Sequence, residues 1–142
     1  MAPFEPKRAK ILVVEDTVMM RVLMERHLKQ AGFPNVQLVE NGKAALELLA
    51  AEPIDLVLLD IQMPVMDGYE TLKRIRANSA LGDPAVIIVT VVDKIESVAQ
   101  CIADGAEDYM PKLFNPILLT AKITTCLELR YLRKRVRELE AQ

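Results

Sequence analysis

The stretch that decides the fold is residues 54–68, which reads IDLVLLDIQMPVMDG. Its first half contains four consecutive apolar residues at 56–59, a pattern typical of a parallel strand that is covered on both faces. The run ends at the carboxylate of Asp60. The MP and DG dipeptides that follow favour an extended loop and then a capped helix. We therefore expect Asp60 at the C-terminal tip of a buried strand, where open α/β sheets bind their ligands.

The rest of the chain alternates in the same way between short apolar runs and helical periodicity. Strands are predicted at 11–14, 36–39, 85–89 and 108–111, in addition to the strand that ends at Asp60. Five strands joined by short right-handed helical crossovers predict an α/β fold with a doubly wound, five-stranded parallel sheet. The expected strand order is 2-1-3-4-5, the flavodoxin-like order, with helices on both faces. Pro111 cannot donate to a sheet ladder and so predicts an edge position for the last strand.

Helix starts and faces can also be assigned from the sequence. Asn41, Asp67, Asp93 and Asn115 stand where N-caps are expected, the last of them directly before a proline. In the helix after Asp67, Leu72 and Ile75 are expected to face the sheet, and the basic side chains Lys73, Arg74 and Arg76 are expected to point to water.

Composition limits the classes of protein that remain. The chain has 142 residues, of which 51% are hydrophobic, enough for one domain with a single core. Lys plus Arg (18) nearly balances Asp plus Glu (20), so no broad basic surface for nucleic acid is expected. No apolar run approaches the roughly 20 residues of a membrane span, and no secretory leader is evident, so we expect a cytoplasmic protein. Cys101 and Cys126 are at no metal-ligand spacing and are predicted to be reduced.

Polar groups suited to a phosphoryl site stand at the ends of the first, third, fourth and fifth predicted strands. They are Glu15 and Asp16 after the first, Asp60 after the third, Thr90 after the fourth and Lys112 after the fifth. Three carboxylates at neighbouring strand ends repel one another, and a hard dication such as Mg²⁺ relieves that repulsion. With the metal bound, Asp60 can act as a nucleophile toward phosphorus and form an aspartyl phosphate. The hydroxyl of Thr90 and the ammonium group of Lys112 are suited to bind phosphate oxygens.

These residues, together with MPVMDG after Asp60 and a tyrosine at position 109, resemble the signature of the response-regulator receiver domains of two-component signalling. The match covers roughly residues 10–125. The resemblance implies that Asp60 takes a phosphoryl group from a histidine kinase or phosphotransfer protein. It also implies that Asp16 is a direct Mg²⁺ ligand, that Glu15 acts largely through water, and that the backbone carbonyl of Gln62 completes the metal shell.

The same resemblance implies a conformational switch. Lys112 would pair with the phosphate, Thr90 would move to hydrogen-bond it, and Tyr109 would turn inward as Thr90 vacates its space. A phosphoryl group adds about −1.5 to −2 charge and three acceptor oxygens, enough to reorganise nearby donors. The surface expected to change is formed by the fourth helix, the fifth strand and the fifth helix.

The sequence departs from the family pattern at three positions. Lys112 precedes Leu113 instead of a proline, so a trans bond is expected there, because a cis bond without proline costs about 3 kcal/mol. Val91 stands after the switch hydroxyl, where a small residue is usual, and predicts slow dephosphorylation that Val91→Ala would accelerate. Glu15 replaces the commoner aspartate and keeps the charge.

The predicted domain organisation is a flexible leader at 1–9, a receiver domain at 10–127 and a helical extension at 128–142. From Pro116 to the end, a helix would run about 40 Å at about 1.5 Å per residue. Leu119, Ile123, Cys126 and Leu127 are expected to face the sheet. The apolar residues that follow have the 3-4-3 spacing of a two-stranded coiled coil and are Leu129, Leu132, Val136 and Leu139. A frayed helix end is the alternative to a parallel homodimer. The amino-acid sequence of this helix also resembles the linkers of regulators whose output domains are cyclases or phosphatases.

Three other classes of protein share single features with this chain, but each needs residues that the sequence lacks. A flavodoxin-like electron carrier needs a glycine- and hydroxyl-rich phosphate loop, but the first strand is followed by the acidic EDTVMM. A haloacid-dehalogenase-type phosphatase needs a second Asp two residues after the nucleophile, and that position is Gln62. A cobalamin module would need a histidine near the strand-to-helix turn, whereas the only histidine is His27. No enzymatic activity is predicted. The main alternative is a receiver-like module for interaction and dimerisation without phosphorylation.

Overall fold

The computed structural model describes residues 4–63, 65–90, 95–112 and 115–142. Val91, Asp93 and Leu113, with the Lys112-Leu113 bond, lie outside these residues. The described chain forms one parallel sheet of five strands in the predicted order β2-β1-β3-β4-β5. The strands are β1 (Ile11–Val14), β2 (Val36–Val39), β3 (Leu56–Asp60), β4 (Ala85–Thr90) and β5 (Asp108–Pro111). Pro111 lies on an edge strand, as expected.

Within the described ranges, five α-helices cover the two faces of the sheet. They are α1 (Val18–Gln30), α2 (Gly42–Ala51), α3 (Gly68–Ala77), α4 (Ile95–Ala103) and α5 (Pro116–Glu140). On one face, Met24 of α1 and Ile123 of α5 pack against alternate residues of the central strands. On the other face, residues of α2, α3 and α4 such as Leu49, Leu72 and Cys101 pack against the remaining ones. The predicted doubly wound α/β fold is confirmed.

Strand register brings the polar residues to one edge of the sheet. Val14 of β1 pairs with Leu59 of β3, so that β1 and β3 end together. On the other side of β3, Asp60 pairs with Val89, and Thr90 pairs with Pro111 of β5. Because all strands are parallel, their C-terminal ends form a single edge.

Side chains cap three helices where the sequence predicts it. The side chain of Asn41 accepts from the N–H of Ala44, that of Asp67 from Glu70, and that of Asn115 from Ile117 and Leu118. Each cap satisfies one or two of the N–H groups that a helix leaves without intrahelical partners. The helix starts are therefore determined by local chemistry.

The expectation that Arg76 points to water is wrong. Its side chain is only 21% exposed. Its guanidinium donates to the carbonyl of Gly105 at 3.0 and 2.8 Å and to that of Pro84 at 2.8 Å. Backbone carbonyls in loops satisfy this arginine, and no sequence pattern marks them as partners.

Helix α5 continues far past the sheet. Leu119, Ile123, Cys126 and Leu127 are buried as predicted, whereas Leu129, Leu132, Val136 and Leu139 are 42–52% exposed. Within the predicted leader, Pro6–Arg8 forms a 3-10 turn and the ring of Phe4 lies 5.2 Å from that of Tyr131. The domain boundaries stay a prediction. Among the described helices, none combines the length and apolar character needed to cross a bilayer.

Candidate metal and phosphoryl site

Three carboxylates converge at the C-terminal edge of β1 and β3. One oxygen from each of Glu15, Asp16 and Asp60 lies within 4.8 Å of the others. Glu15 is 1% and Asp60 2% exposed, whereas Asp16 is exposed. Two of these acids are thus held in the protein interior, where unpaired charge is costly, and the third faces solvent. The predicted acidic cluster is present.

Within the part of the chain that the structure describes, Lys112 provides the positive charge nearest to the buried acids. Its ammonium lies 3.0 Å from Oδ2 of Asp60 and 3.2 Å from Oε1 of Glu15. The N–H of Lys112 donates to the carbonyl of Thr90 at 2.8 Å, which ties the end of β5 to the end of β4. Lys112 therefore reaches the site despite the missing proline after it.

The electrostatics of the site centre on Asp60. Burial is the main cause that raises the pKa of Asp60 to about 7, and the nearby Glu15 adds to it, while Lys112 acts in the opposite direction. For Lys112, burial acts to lower the pKa, but the contacts with Asp60 and Glu15 outweigh it and the pKa is raised. One lysine cannot neutralise the whole acidic cluster.

The loop after β3 holds Asp60 from the backbone. Oδ1 of Asp60 accepts from the N–H of Gln62 at 3.2 Å, and the N–H of Gly68 donates to the carbonyl of Ile61 at 2.8 Å. A Cβ atom at Gly68 would lie 2.4 Å from the carbonyl oxygen of Asp60, so only glycine lets the start of α3 approach so closely. Val65 in the same loop has φ 73°, a left-handed conformation that is strained for a β-branched residue.

Arg21 is a site residue that sequence reasoning missed. Its guanidinium donates to the carbonyls of Glu15 at 2.7 Å and Asp16 at 3.1 Å. It thereby fixes the backbone of the loop that presents both acids. The only available signal was a basic residue one turn into the helix after an acidic pair.

The two predicted switch residues lie on neighbouring strands and on the same face of the sheet, because Tyr109 pairs with Ile88, two residues before Thr90. Thr90 is 7% exposed at the tip of β4. Tyr109 is 39% exposed, and the ammonium of Lys122 lies 5.3 Å from the centre of its ring. Lys122 also contacts both carboxylate oxygens of Asp108 at 3.0 Å. The Tyr109 ring is therefore turned outward in this structure.

The donor set fits a hard dication. Oδ2 of Asp60 is buried and makes no well-directed hydrogen bond among the described residues, although Lys112 lies within ion-pair distance. Carboxylate oxygens, two buried and one exposed, are the ligands that Mg²⁺ prefers, and Mg²⁺ usually keeps several waters besides one or two carboxylates. Glu15, Asp16 and Asp60 can supply these oxygens.

Comparison with known proteins agrees with this geometry. A family model described as the response regulator receiver domain matches residues 11–124. The cyclic di-GMP phosphodiesterase of Thermotoga maritima is 39% identical over 120 residues, which are 84% of this chain and 31% of that protein. The chain thus spans about a third of the length of this relative.

Solved structures show the same architecture. The receiver domain of a Vibrio parahaemolyticus protein described as a putative Luxo repressor is 27% identical, with a TM-score of 0.82 over 91% of this chain and 97% of that one. The receiver domain of the sensor histidine kinase PA1611 from Pseudomonas aeruginosa, with a magnesium ion coordinated in its active-site cleft, is 27% identical. Its TM-score is 0.76, over 85% and 98% of the two chains. NtrX from Brucella abortus is 28% identical, with a TM-score of 0.86 over 93% of this chain and 30% of that one.

Proposed function

The chain belongs to the response regulator receiver domain family of two-component systems, and from that membership we propose that Asp60 is its phosphoryl acceptor. The donor is a phosphohistidine on a histidine kinase or phosphotransfer protein, and the reaction depends on Mg²⁺. The domain acts as a switch and is not itself an enzyme. We place it in the cytoplasm, together with the kinase that supplies the phosphoryl group.

The observation that carries this proposal is the convergence of one lysine and three acids around a buried carboxylate. Asp60 is 2% exposed, its Oδ2 lies 3.0 Å from the Lys112 ammonium, and Glu15 and Asp16 lie within 4.8 Å. A purely structural salt bridge needs one acid for one base. The excess of negative charge is explained if a dication occupies the site, and such an ion also offsets the charge of a phosphoryl group on Asp60.

Glu15, Asp16 and Asp60 would hold the Mg²⁺, with the carbonyl of Gln62 as the remaining protein ligand. When bound, the ion neutralises the carboxylates and the charge of the incoming phosphoryl oxygens. Arg21 holds the backbone of Glu15 and Asp16 in place through their carbonyls. These contacts preorganise the loop before any ligand arrives.

In the transfer step, an oxygen of the Asp60 carboxylate forms a bond to phosphorus while the bond between phosphorus and the histidine nitrogen breaks. The electron pair of that bond returns to the imidazole. The Lys112 ammonium, now 3.0 Å from Asp60, pairs with a phosphoryl oxygen. Thr90 supplies a hydroxyl at the tip of the adjacent strand, and Tyr109 turns inward from its exposed position. In hydrolysis, a water oxygen forms a bond to phosphorus, the bond from phosphorus to the Asp60 oxygen breaks, and the carboxylate is restored as inorganic phosphate leaves.

The test is phosphorylation by a small-molecule donor. We expect the chain to gain the mass of one phosphoryl group with acetyl phosphate and Mg²⁺, and to gain none with EDTA. Asp60→Asn abolishes the gain, while Asp67→Asn, which keeps an oxygen for the helix cap, leaves it intact. No mass gain in the wild type would contradict the proposal and favour a phosphorylation-independent interaction module.

We further propose that α5 carries the signal through a parallel homodimer. The exposed residues Leu129, Leu132, Val136 and Leu139 form an apolar stripe, here called the dimer seam. The name of the Thermotoga maritima relative supports an output domain that acts on cyclic di-GMP, within the broader expectation of a cyclase or phosphatase type. Dimerisation would set the distance between two such output domains.

A further inference from the structure

Three arginines on the C-terminal half of α5 contact the opposite edge of the sheet from the phosphoryl site. Arg130 donates to Oδ1 of Asp55 at 2.9 Å and to the carbonyl of Asp83 at 3.0 Å. Arg133 binds both carboxylate oxygens of Glu107, at 2.8 and 2.9 Å. The guanidinium of Arg137 lies 3.6 Å from Asp83. These contacts are here called the arginine clasp, formed by Arg130, Arg133, Arg137, Asp55, Asp83 and Glu107.

Each acid of the clasp precedes a strand that ends at the phosphoryl site. Asp55 stands directly before β3, which ends at Asp60. Asp83 stands two residues before β4, which ends at Thr90. Glu107 stands directly before β5, which leads into Lys112, and its N–H donates to the carbonyl of Val86 at 2.7 Å. The clasp therefore anchors α5 to the far ends of the three strands that carry the acceptor, the hydroxyl and the lysine.

The clasp also fixes which side of α5 faces away from the sheet. At 3.6 residues per turn, Arg130 and Arg137 continue the buried stripe of Ile123 and Cys126, and the dimer seam is centred about 140° around the axis from them. The seam is thus presented to solvent with no part of the clasp between it and an approaching helix. Arg133 lies between the two faces and is 57% exposed.

Charged residues flank the seam in a pattern that suits a second copy of this chain. With Leu129 and Val136 at a positions and Leu132 and Leu139 at d positions, Glu128 and Arg135 occupy g positions. Arg133 and Glu140 occupy the e positions that follow on a parallel partner helix. Both pairs across the seam, Glu128 with Arg133 and Arg135 with Glu140, have opposite charges. Among the described residues, no ion pair involves Glu128.

Arg133 therefore has two competing acidic partners. We propose that Arg133 binds Glu107 of its own chain in the monomer and Glu128 of a second copy in the dimer, so that the inner contact opposes dimerisation. This inference rests on the dimer proposed above. Because Glu107 stands directly before β5 and Lys112 directly after it, a movement of β5 changes the inner contact directly. The clasp thus links the acceptor site to the strength of the dimer.

The test compares dimer dissociation constants of the full 142-residue chain by sedimentation equilibrium. E107Q frees Arg133 and is expected to tighten the dimer about two- to fivefold, the range that an exposed ion pair contributes. E47Q removes the same charge from a site on α2 and leaves the constant unchanged. E128R weakens the dimer about tenfold, because it places like charges opposite Arg133 of the second copy on both flanks of the seam.

The double variant E128R/R133E distinguishes an exchange of partners at position 133 from a simple attraction between the two chains. It restores opposite charges at positions 128 and 133 between the chains. Within each chain, the acidic side chain that replaces Arg133 repels Glu107, so the inner contact no longer competes. The dimer is therefore expected to be tighter than that of the wild type. If E107Q dimerises as tightly as the wild type or less tightly, the exchange of Arg133 between its two partners is overturned. This conclusion requires that the unfolding transition of E107Q matches that of E47Q. Absence of dimers in every variant would overturn both the exchange and the dimer, yet leave the phosphorylation of Asp60 to its own test.

Discussion

At Asp60, burial and chemistry make opposite demands on one side chain. For the proposed phosphoryl transfer the carboxylate must be ionised, but the interior disfavours its charge and raises its pKa to about 7 from an ordinary value of 3.8. The folded state therefore binds this proton more tightly than the unfolded state does. In the absence of metal, the contribution of Asp60 to stability is greatest at low pH and is lost as pH rises from about 4 through about 7.

Asp60→Asn is accordingly expected to stabilise the protein at high pH. The variant lacks the buried charge, so its free energy of unfolding exceeds that of the wild type by about 1–3 kcal/mol near pH 8 and converges with it near pH 4. Urea denaturation in EDTA across this pH range measures the difference. Glu47→Gln is the control for loss of one negative charge outside the site. A difference between Asp60→Asn and the wild type that does not grow with pH would contradict the raised pKa.

Individual residues also show where sequence reasoning succeeds. Asp60 and Lys112 could be predicted because each stands at a strand end, and parallel strands bring their ends together. Arg21 and Arg76 could not, since both bind backbone carbonyls contributed by loops. A carbonyl exists at every position, so the sequence carries no sign of which one an arginine will reach.

Among the elements, α3 is attached to the sheet by a single charged side chain as well as by its apolar face. Arg76 bridges the loops that precede β4 and β5 through the carbonyls of Pro84 and Gly105. Burial lowers the pKa of Arg76, although Asp83 and Glu107 partly offset it. Four hydrogen bonds, three to these carbonyls and one to Oδ1 of Asp83 at 3.1 Å, come from one planar group and demand guanidinium geometry.

Arg76→Lys should therefore be a costly substitution. An ammonium on a shorter stem cannot serve both carbonyls, so we expect a loss of about 1–2 kcal/mol in unfolding free energy. Arg74→Lys is the matched control, because Arg74 is 57% exposed and only pairs with Glu70 one turn away. Its effect should stay within about 0.5 kcal/mol. Equal effects of the two variants in thermal or urea denaturation would show that the buried contacts contribute little.

The order and type of the elements could be predicted from the sequence, because short apolar runs alternate with capped helical segments throughout. Asn41, Asp67 and Asn115 set the helix starts by local hydrogen bonds that neighbouring residues determine. The packing of Phe4 on Tyr131 could not be predicted, since it joins positions far apart in the chain. Local rules describe elements, whereas such long-range contacts depend on the assembled fold.

For the molecule as a whole, the proposed dimer would depend on the exposed apolar stripe of α5. Leu132→Asp places a charge in the middle of the dimer seam and should abolish the dimer in sedimentation equilibrium. Because Leu132 is 47% exposed in the monomer, the unfolding free energy of the monomer should change by less than about 1 kcal/mol. Ile117→Asp, at a residue 82% exposed on the same helix, is the control and should leave association unchanged. If the two variants associate equally, the dimer seam is not part of the interface.

The three strands between the arginine clasp and the phosphoryl site, β3, β4 and β5, are short and keep a fixed length. β5 has four residues, which span about 13 Å at about 3.3 Å per residue, and its backbone is hydrogen-bonded to β4 along that length. A strand held in this way can tilt or slide but cannot lengthen. Chemistry at one end of the sheet would therefore reach the other as a displacement of nearly equal size, and a long helix fixed to that end would amplify it at its tip.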